Sequence, residues 1–320
     1  MSQEIPFEPF SFINDPHHQT ILSSVLNFLP EPPSVQKTVR LPDGDKLVAE
    51  VTTPAGWVET GPTVLFVHGL CGSHRSPNLV RMVNRLEPLG VRCVRFNMRG
   101  CGSGRGLAKH LYHSGRSEDL FAVLHAIKKE HPLSPITLIG FSLGGNIVVK
   151  LTGELGSLAP QYLDKLIAVS PPVDLYSSVQ MLGDPANAFF EKYFYKILRA
   201  DVHYRHKLFK DLPRVKLPRS LKLYEFDQLY TAPMSGFSDA MDYYDRCSGA
   251  AVIEHISIPT RILLSEDDPI ISASSLDGFN LPKNIEVFKT KKGGHMGYLG
   301  NPADGKGFHW LDSLLESWIM

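Results

Sequence analysis

Short apolar runs recur along this chain, each broken off by glycine or polar residues: Thr63 to Val67, Arg92 to Phe96, Ile136 to Ile139, Leu166 to Val169, Arg261 to Leu264 and Ile285 to Phe288. Continuous apolar runs of this length suit strands covered by helices on both faces. Between them lie stretches of helical period, among them Asn78 to Leu89, Ser117 to Lys129 and Leu143 to Leu155. Strand alternating with helix predicts a mostly parallel sheet. Ser117 is the expected N-cap of its helix, followed by Glu118 and Asp119, where a helix N-terminus favours negative charge. Ahead of this rhythm, Val35 to Leu41 and Lys46 to Thr52 alternate apolar and polar residues around Pro42-Asp43-Gly44-Asp45, predicting an antiparallel hairpin. At the far end Trp310, Leu311, Leu314, Leu315 and Trp318 share one helical face, so Phe308 to Ile319 should dock on the sheet.

From about residue 172 to 256 the alternation stops. This region is rich in aromatic and charged residues and mainly helical in pattern, and no repeat or flexible linker sets it apart as a tethered domain. The expectation is one domain over residues 1–320 with a helical, lid-like insertion at 172–256. Its aromatics Phe189, Phe190, Tyr193, Phe194 and Tyr195 are expected to pack rather than to touch substrate.

Composition narrows the function classes. Hydrophobic residues make up 43% and charged ones 21%, the balance of an ordinary folded chain. Lys plus Arg equals Asp plus Glu at 33 each, with no dense basic run to follow phosphates, so a nucleic-acid partner is not expected. Cys71, Cys93, Cys101 and Cys247 match neither zinc-ligand spacing nor a disulfide framework, which fits a reducing compartment. The first residues, MSQEIPFEPFSFINDPHHQTILSS, lack a basic stretch followed by an apolar one, and no apolar run approaches the ~20 residues that span a bilayer. A soluble, cytoplasmic protein is expected.

The chemistry concentrates at Gly140-Phe141-Ser142-Leu143-Gly144, which falls between a strand pattern and a helix pattern. That is the setting of a nucleophile elbow, a sharp turn that exposes the serine and needs glycines for close packing. A serine needs a base, and the base an orienting acid. On the chain order Ser, acid, His, the loop after Arg261 to Leu264 offers Asp267 and Asp268, with Glu266 a weaker third. His295, following Gly293 and Gly294 after Ile285 to Phe288, is the expected base among thirteen histidines. The oxyanion donors are expected to be the N–H of Leu143 and the N–H of Leu70, in the loop His68-Gly69-Leu70-Cys71-Gly72. His68 is read as shaping that loop and Cys71 as non-catalytic.

Other candidates carry less. Asn97 to Gly104, NMRGCGSG, follows a strand and is glycine-rich, but it lacks the G-x-G-x-x-G spacing and the later acidic residue of a dinucleotide loop. It reads as a tight loop, with Arg99 as its brace. His113 and Asp119, in LYHSGRSEDL, are expected to hold structure. Neither an HExxH nor a paired-Cys signature is present, so no metal or other cofactor is expected.

Taken with DPHHQT at Asp15 to Thr20, HGLCGSHRSP at His68 to Pro77, GFSLGGN at Gly140 to Asn146 and EFDQLYTAPMSGFSDAMDYY at Glu225 to Tyr244, these segments resemble the α/β-hydrolase superfamily over nearly the whole chain. More narrowly they resemble its YheT-like branch, which includes yeast ethanol acyltransferases and mammalian abhydrolase-domain esterases and lipases. The resemblance implies an α/β-hydrolase fold with nucleophile Ser142, base His295 and, of the two neighbouring aspartates, Asp268, the one directly before Pro269. It also implies carboxylic-ester hydrolysis on a small-molecule ester or acyl lipid. Alcohol acyl transfer and a lipase- or phospholipase-like activity are the alternatives, and non-enzymatic acyl-lipid binding is the rival from another class.

Overall fold

A computed structural model describes residues 2–26, 28–302 and 304–320 of the 320-residue chain. Its strands are β1 (Gln3–Glu4), β2 (Val35–Arg40), β3 (Lys46–Thr52), β4 (Thr63–Val67), β5 (Arg92–Asn97), β6 (Ile136–Phe141), β7 (Lys165–Val169), β8 (Thr260–Ser265) and β9 (Ile285–Thr290). They form one nine-stranded sheet in the order β1-β9-β8-β7-β6-β4-β5-β3-β2. All neighbours from β1 through to β5 run parallel, while β3 pairs antiparallel with β5 and β2 with β3. The fold is the mostly parallel α/β architecture expected.

The helices are α1 (Pro16–Val25), α2 (Pro77–Leu86), α3 (Ser117–Glu130), α4 (Leu143–Leu155), α5 (Leu175–Leu182), α6 (Ala188–Leu208), α7 (Leu223–Phe226), α8 (Ala232–Met234), α9 (Ala240–Cys247) and α10 (Trp310–Ile319). Alternate residues of each strand serve opposite faces. On β4, Leu65 and Val67 join the core beneath α3 and α4 with Leu120, Leu124, Ile147 and Val148. Val64 and Phe66 point to the other face, against Leu79 and Met82 of α2 and Leu311, Leu315 and Trp318 of α10. Burying both faces accounts for the absence of alternation in the sequence; each fully buried aliphatic or aromatic side chain contributes ~1.5–3 kcal/mol. None of the helices is long and apolar enough to cross a membrane, among the described residues.

Between β7 and β8 the chain leaves the sheet and forms α5 to α9, in the region where the sequence rhythm broke off. Two local expectations need correcting. Ser117 is the first residue of α3, not its cap: Arg116 occupies the cap position without a capping side-chain bond, and the Ser117 hydroxyl donates to Glu154 instead. The aromatics of α6 divide by face, so that Phe190 and Tyr195 are buried while Phe189 and Tyr193 are 62% and 52% exposed.

Arg99 ties three segments together from a fully buried position. Its Nε and Nη2 grip both oxygens of Asp119 on α3 at 2.6 and 2.7 Å, and Nη1 reaches Asp43 at 2.5 Å and Asp45 at 2.6 Å in the hairpin turn. Asp45 also accepts the N–H groups of Lys109 and His110. These contacts hold the Asp43 and Asp45 carboxyls below the ordinary aspartate range against the opposing effect of burial. Asp43, Asp45 and His110 bring potential metal-ligand atoms within 4.8 Å of one another, but the guanidinium already supplies the positive charge between the two carboxylates. Arg99→Ala strands Asp45 and Asp119 without their cation, and removing one partner of a buried pair costs ~3–5 kcal/mol. Urea denaturation should show a loss of that size; a loss under ~1 kcal/mol would show the network to be dispensable.

Candidate active site

Ser142 sits at the turn from β6 into α4 with φ 51° and ψ −123°, a strained conformation for a residue with a side chain. Its N–H is held by the carbonyl of Val169 at the end of β7, at 2.9 Å. The turn closes only because its neighbours are bare. A Cβ on Gly144 would lie 2.5 Å from the carbonyl oxygens of Val67 and His68, and one on Gly140 would strike the Gly144 carbonyl.

His295 comes to this serine on the loop after β9. Gly293 and Gly294 take φ of 145° and 57°, which lets the chain fold inward. The imidazole Nε2 lies 2.8 Å from Ser142 Oγ, and Nδ1 lies 2.8 Å from Asp268 Oδ2. A carboxylate can only accept, so the ring proton belongs on Nδ1 and Nε2 is left free to accept from the serine hydroxyl.

Of the three acidic neighbours left open by spacing, the structure brings Asp268 to His295. Asp268 is buried, and its other oxygen accepts the N–H groups of Ile270 and Ile271 at 2.8 and 3.0 Å. It therefore caps the following turn and holds the histidine at once, with a different oxygen for each. Asp267 turns away to accept from Ser265 Oγ at 2.6 Å and from the Gly294 N–H at 2.8 Å, bracing the histidine loop from below. Glu266 is exposed.

Helix α1 was not read from the sequence as part of the site, yet it holds the histidine loop. Its Thr20 Oγ1 accepts the His295 N–H at 2.9 Å, and the Gln19 amide bonds both the N–H and the carbonyl of Leu299 at 2.7 and 3.0 Å. Gly294 and Gly297 pack directly on this helix, where a Cβ on either would meet backbone atoms of Pro16 or Gln19. The signal was present in Asp15-Pro16, a cap residue followed by a proline at the first helical position; Asp15 Oδ1 accepts the His18 N–H at 3.0 Å.

The loop after β4 passes close to the serine: a Cβ on Gly69 would come 3.2 Å from Ser142 Cβ. The Cys71 N–H is taken by the Tyr112 hydroxyl at 3.1 Å. Leu143, first residue of α4, has no earlier helical turn to accept its N–H. Leu70 and Leu143 both line the cavity that Ser142 and His295 enter. His68 does not reach it as a base. Its Nδ1 donates to the Gly69 carbonyl at 2.8 Å, its Nε2 accepts the Met98 N–H at 3.2 Å, and burial pushes its pKa down to about 4. Burial likewise pushes the Cys71 thiol up to about 12, keeping it a protonated packing group. All four cysteines are unpaired.

Two spaces meet at Ser142. A largely apolar cavity of about 110 Å³ runs beneath α5 to α9 and is lined by Leu143, Leu182, Leu198, Phe226 and His113 among others. A larger groove of about 500 Å³ lies between α1 and α6, with Ile21, Val25, Phe189, Tyr193 and Met296 on its walls. Phe194, Ile270 and His295 border both. The exposed aromatics of α6 thus line a groove that the packing expectation had not foreseen.

This arrangement has relatives. YheT of Escherichia coli (strain K12) is 28% identical over 327 residues, covering 99% of this chain and 94% of that protein. Human phospholipase ABHD3 is 29% identical over 245 residues, 75% of this chain and 59% of its own length, so the match leaves over a third of ABHD3 uncovered. Among solved structures, the 2,6-dihydroxy-pseudo-oxynicotine hydrolase has a TM-score of 0.59 at 18% identity, covering 95% of this chain and 72% of that one, a likeness of fold alone. Residues 62–302 match the alpha/beta hydrolase fold family, and with most of its length inside that match the chain belongs to the α/β-hydrolase family.

Proposed function

We propose that this protein is a cofactor-independent serine hydrolase that cleaves carboxylic esters through Ser142, His295 and Asp268. The observation that carries the reading is the unbroken hydrogen-bonded line from Ser142 Oγ through His295 to Asp268, each contact 2.8 Å long, set on a strained strand-to-helix turn. That geometry matches nucleophile, base and orienting acid by role.

In the proposed reaction His295 Nε2 takes the Ser142 proton as Oγ attacks the ester carbonyl. The N–H groups of Leu70 and Leu143 hold the negative oxygen of the tetrahedral intermediate. His295 then gives its proton to the departing alcohol, leaving the acyl group on Ser142. Water attacks that acyl-enzyme with His295 again as base, releasing the acid and restoring the serine. Asp268 keeps the imidazole oriented and stabilises its protonated form.

The two spaces suggest how an ester lies. Leu143, which carries one oxyanion donor, lines only the smaller cavity, and Met296, next to the base, lines only the larger groove. The acyl chain belongs in the cavity and the alcohol, which needs the proton of His295, in the groove. Residues 172–256 act as the lid over the acyl chain, within a single domain. The substrate is a small-molecule ester or acyl lipid, in keeping with the apolar cavity and with a phospholipase among the relatives. A cytoplasmic site of action fits the four unpaired cysteines.

A fluorophosphonate should add once to the wild-type protein by intact mass and not at all to Ser142→Ala; a well-folded wild type that stays unmodified would sink the reading. Asp268→Asn should lower kcat on a short-chain ester by ~10⁴-fold, while Asp267→Asn, which only loosens the histidine loop, should lose far less. The reverse order in steady-state assays would move the acid to Asp267.

A further inference from the structure

The wall that α7 to α9 and the loop before α3 contribute to the smaller cavity is partly polar. His113 lines it and is only 8% exposed. Its Nδ1 accepts the Gly115 N–H at 3.1 Å, and burial together with the nearby Arg116, Arg99 and Lys150 charges drives its pKa down to about 3. The ring is therefore neutral with its single proton on Nε2, and among the described residues that N–H meets no acceptor. Edge-on contacts with Phe237 and Tyr243 hold the ring in place.

Asp227 lines the same cavity. Protein surrounds it, burial pushes its pKa up to about 6, and yet part of its surface stays accessible, because that part faces the cavity. The Tyr244 hydroxyl donates to one of its oxygens at 2.8 Å, the Thr231 hydroxyl is a further donor to the carboxylate, and among the described residues no Lys, Arg or His forms an ion pair with it. It opens a single π-helical turn, Asp227–Thr231, an irregularity frequent at functional sites. The neighbouring Tyr243 hydroxyl is already committed to Ser114, donating to Oγ at 2.8 Å and accepting the N–H at 3.1 Å.

A donor without an acceptor and a carboxylate with about two of its four acceptor sites still open thus line one cavity. A plain alkyl chain would leave both unsatisfied, and an ammonium would suit Asp227 but oppose the His113 N–H. A hydroxyl answers both. We propose that the lid pocket selects acyl chains bearing a hydroxyl group, which donates to the Asp227 carboxylate and accepts from His113 Nε2–H. The proposal rests on the ester-hydrolase reading and names the substrate class of that site.

The test begins with Ser142→Ala protein, titrated by calorimetry with ethyl hexanoate, with ethyl esters of 3- to 6-hydroxyhexanoate, and with ethyl 6-aminohexanoate. At least one hydroxy isomer should bind about tenfold tighter than ethyl hexanoate, a ratio that one hydrogen bond to a charged group supplies. His113→Phe and Asp227→Asn, each added to Ser142→Ala and checked by thermal melting, should bring that ratio towards one. In wild-type turnover the same preference should appear in KM more than in kcat. The idea is overturned if no hydroxy isomer outbinds the plain ester, if the amino ester binds tightest, or if the preference survives in both variants. Failure of the hydrolase reading looks different: wild type would turn over none of the esters, while the binding ratio in Ser142→Ala would still decide the pocket.

Discussion

Parallel strands bring their C-terminal ends to one edge of a sheet, and everything else in this molecule depends on that edge. Ser142 follows β6, Leu70 follows β4, Asp268 follows β8 and His295 follows β9. Between β4 and β9 the order is β4-β6-β7-β8-β9, so residues separated by more than two hundred positions in sequence emerge within a few strand widths of each other. No long side chain has to bridge a gap. The sheet is stiff because both faces are buried, and that stiffness is what allows contacts of 2.8 Å to be held on loops.

The strain at Ser142 is tolerated because the surroundings over-determine it. The carbonyls of Val67 and His68 approach the turn so closely that Gly144 admits no substituent, and Val169 fixes the Ser142 amide. Strain of this kind costs on the order of 1–3 kcal/mol and persists only where packing enforces it. The same pattern recurs nearby: Cys71 and Met296, on either side of the site, also adopt positive φ. The backbone bends hardest where loops from different strands must face one point.

Helix α1 and the segment leading into α6 join the site from outside the sheet. Thr20 and Gln19 anchor the histidine loop, and His17 on the same helix reaches Asn187 at 3.0 Å and stacks on Phe190. Asn187 in turn donates to the Pro269 carbonyl at 2.6 Å, directly after Asp268. Helix α1 and Asn187 therefore tie the loop that carries His295, the loop that carries Asp268 and the start of α6 to one another.

The sequence by itself determined what depends on neighbours along the chain. Buried strands announced themselves as apolar runs, the turn at Ser142 by its glycines between a strand and a helix pattern, and the order of serine, acid and histidine by the loops that follow those strands. It did not determine what depends on meetings in space. Asp267 and Asp268 are adjacent in sequence and identical in chemistry, and only the angle at which the chain leaves β8 turns one to His295 and the other to Gly294. Ser117 looked like a cap until Glu154, on another helix, took its hydroxyl. The clamp of α1 on His295 and the meeting of His113 with Asp227 across one cavity join residues more than a hundred positions apart. Periodicity and turn chemistry carry no record of such pairings, because they are made by packing, and packing is decided by the fold as a whole.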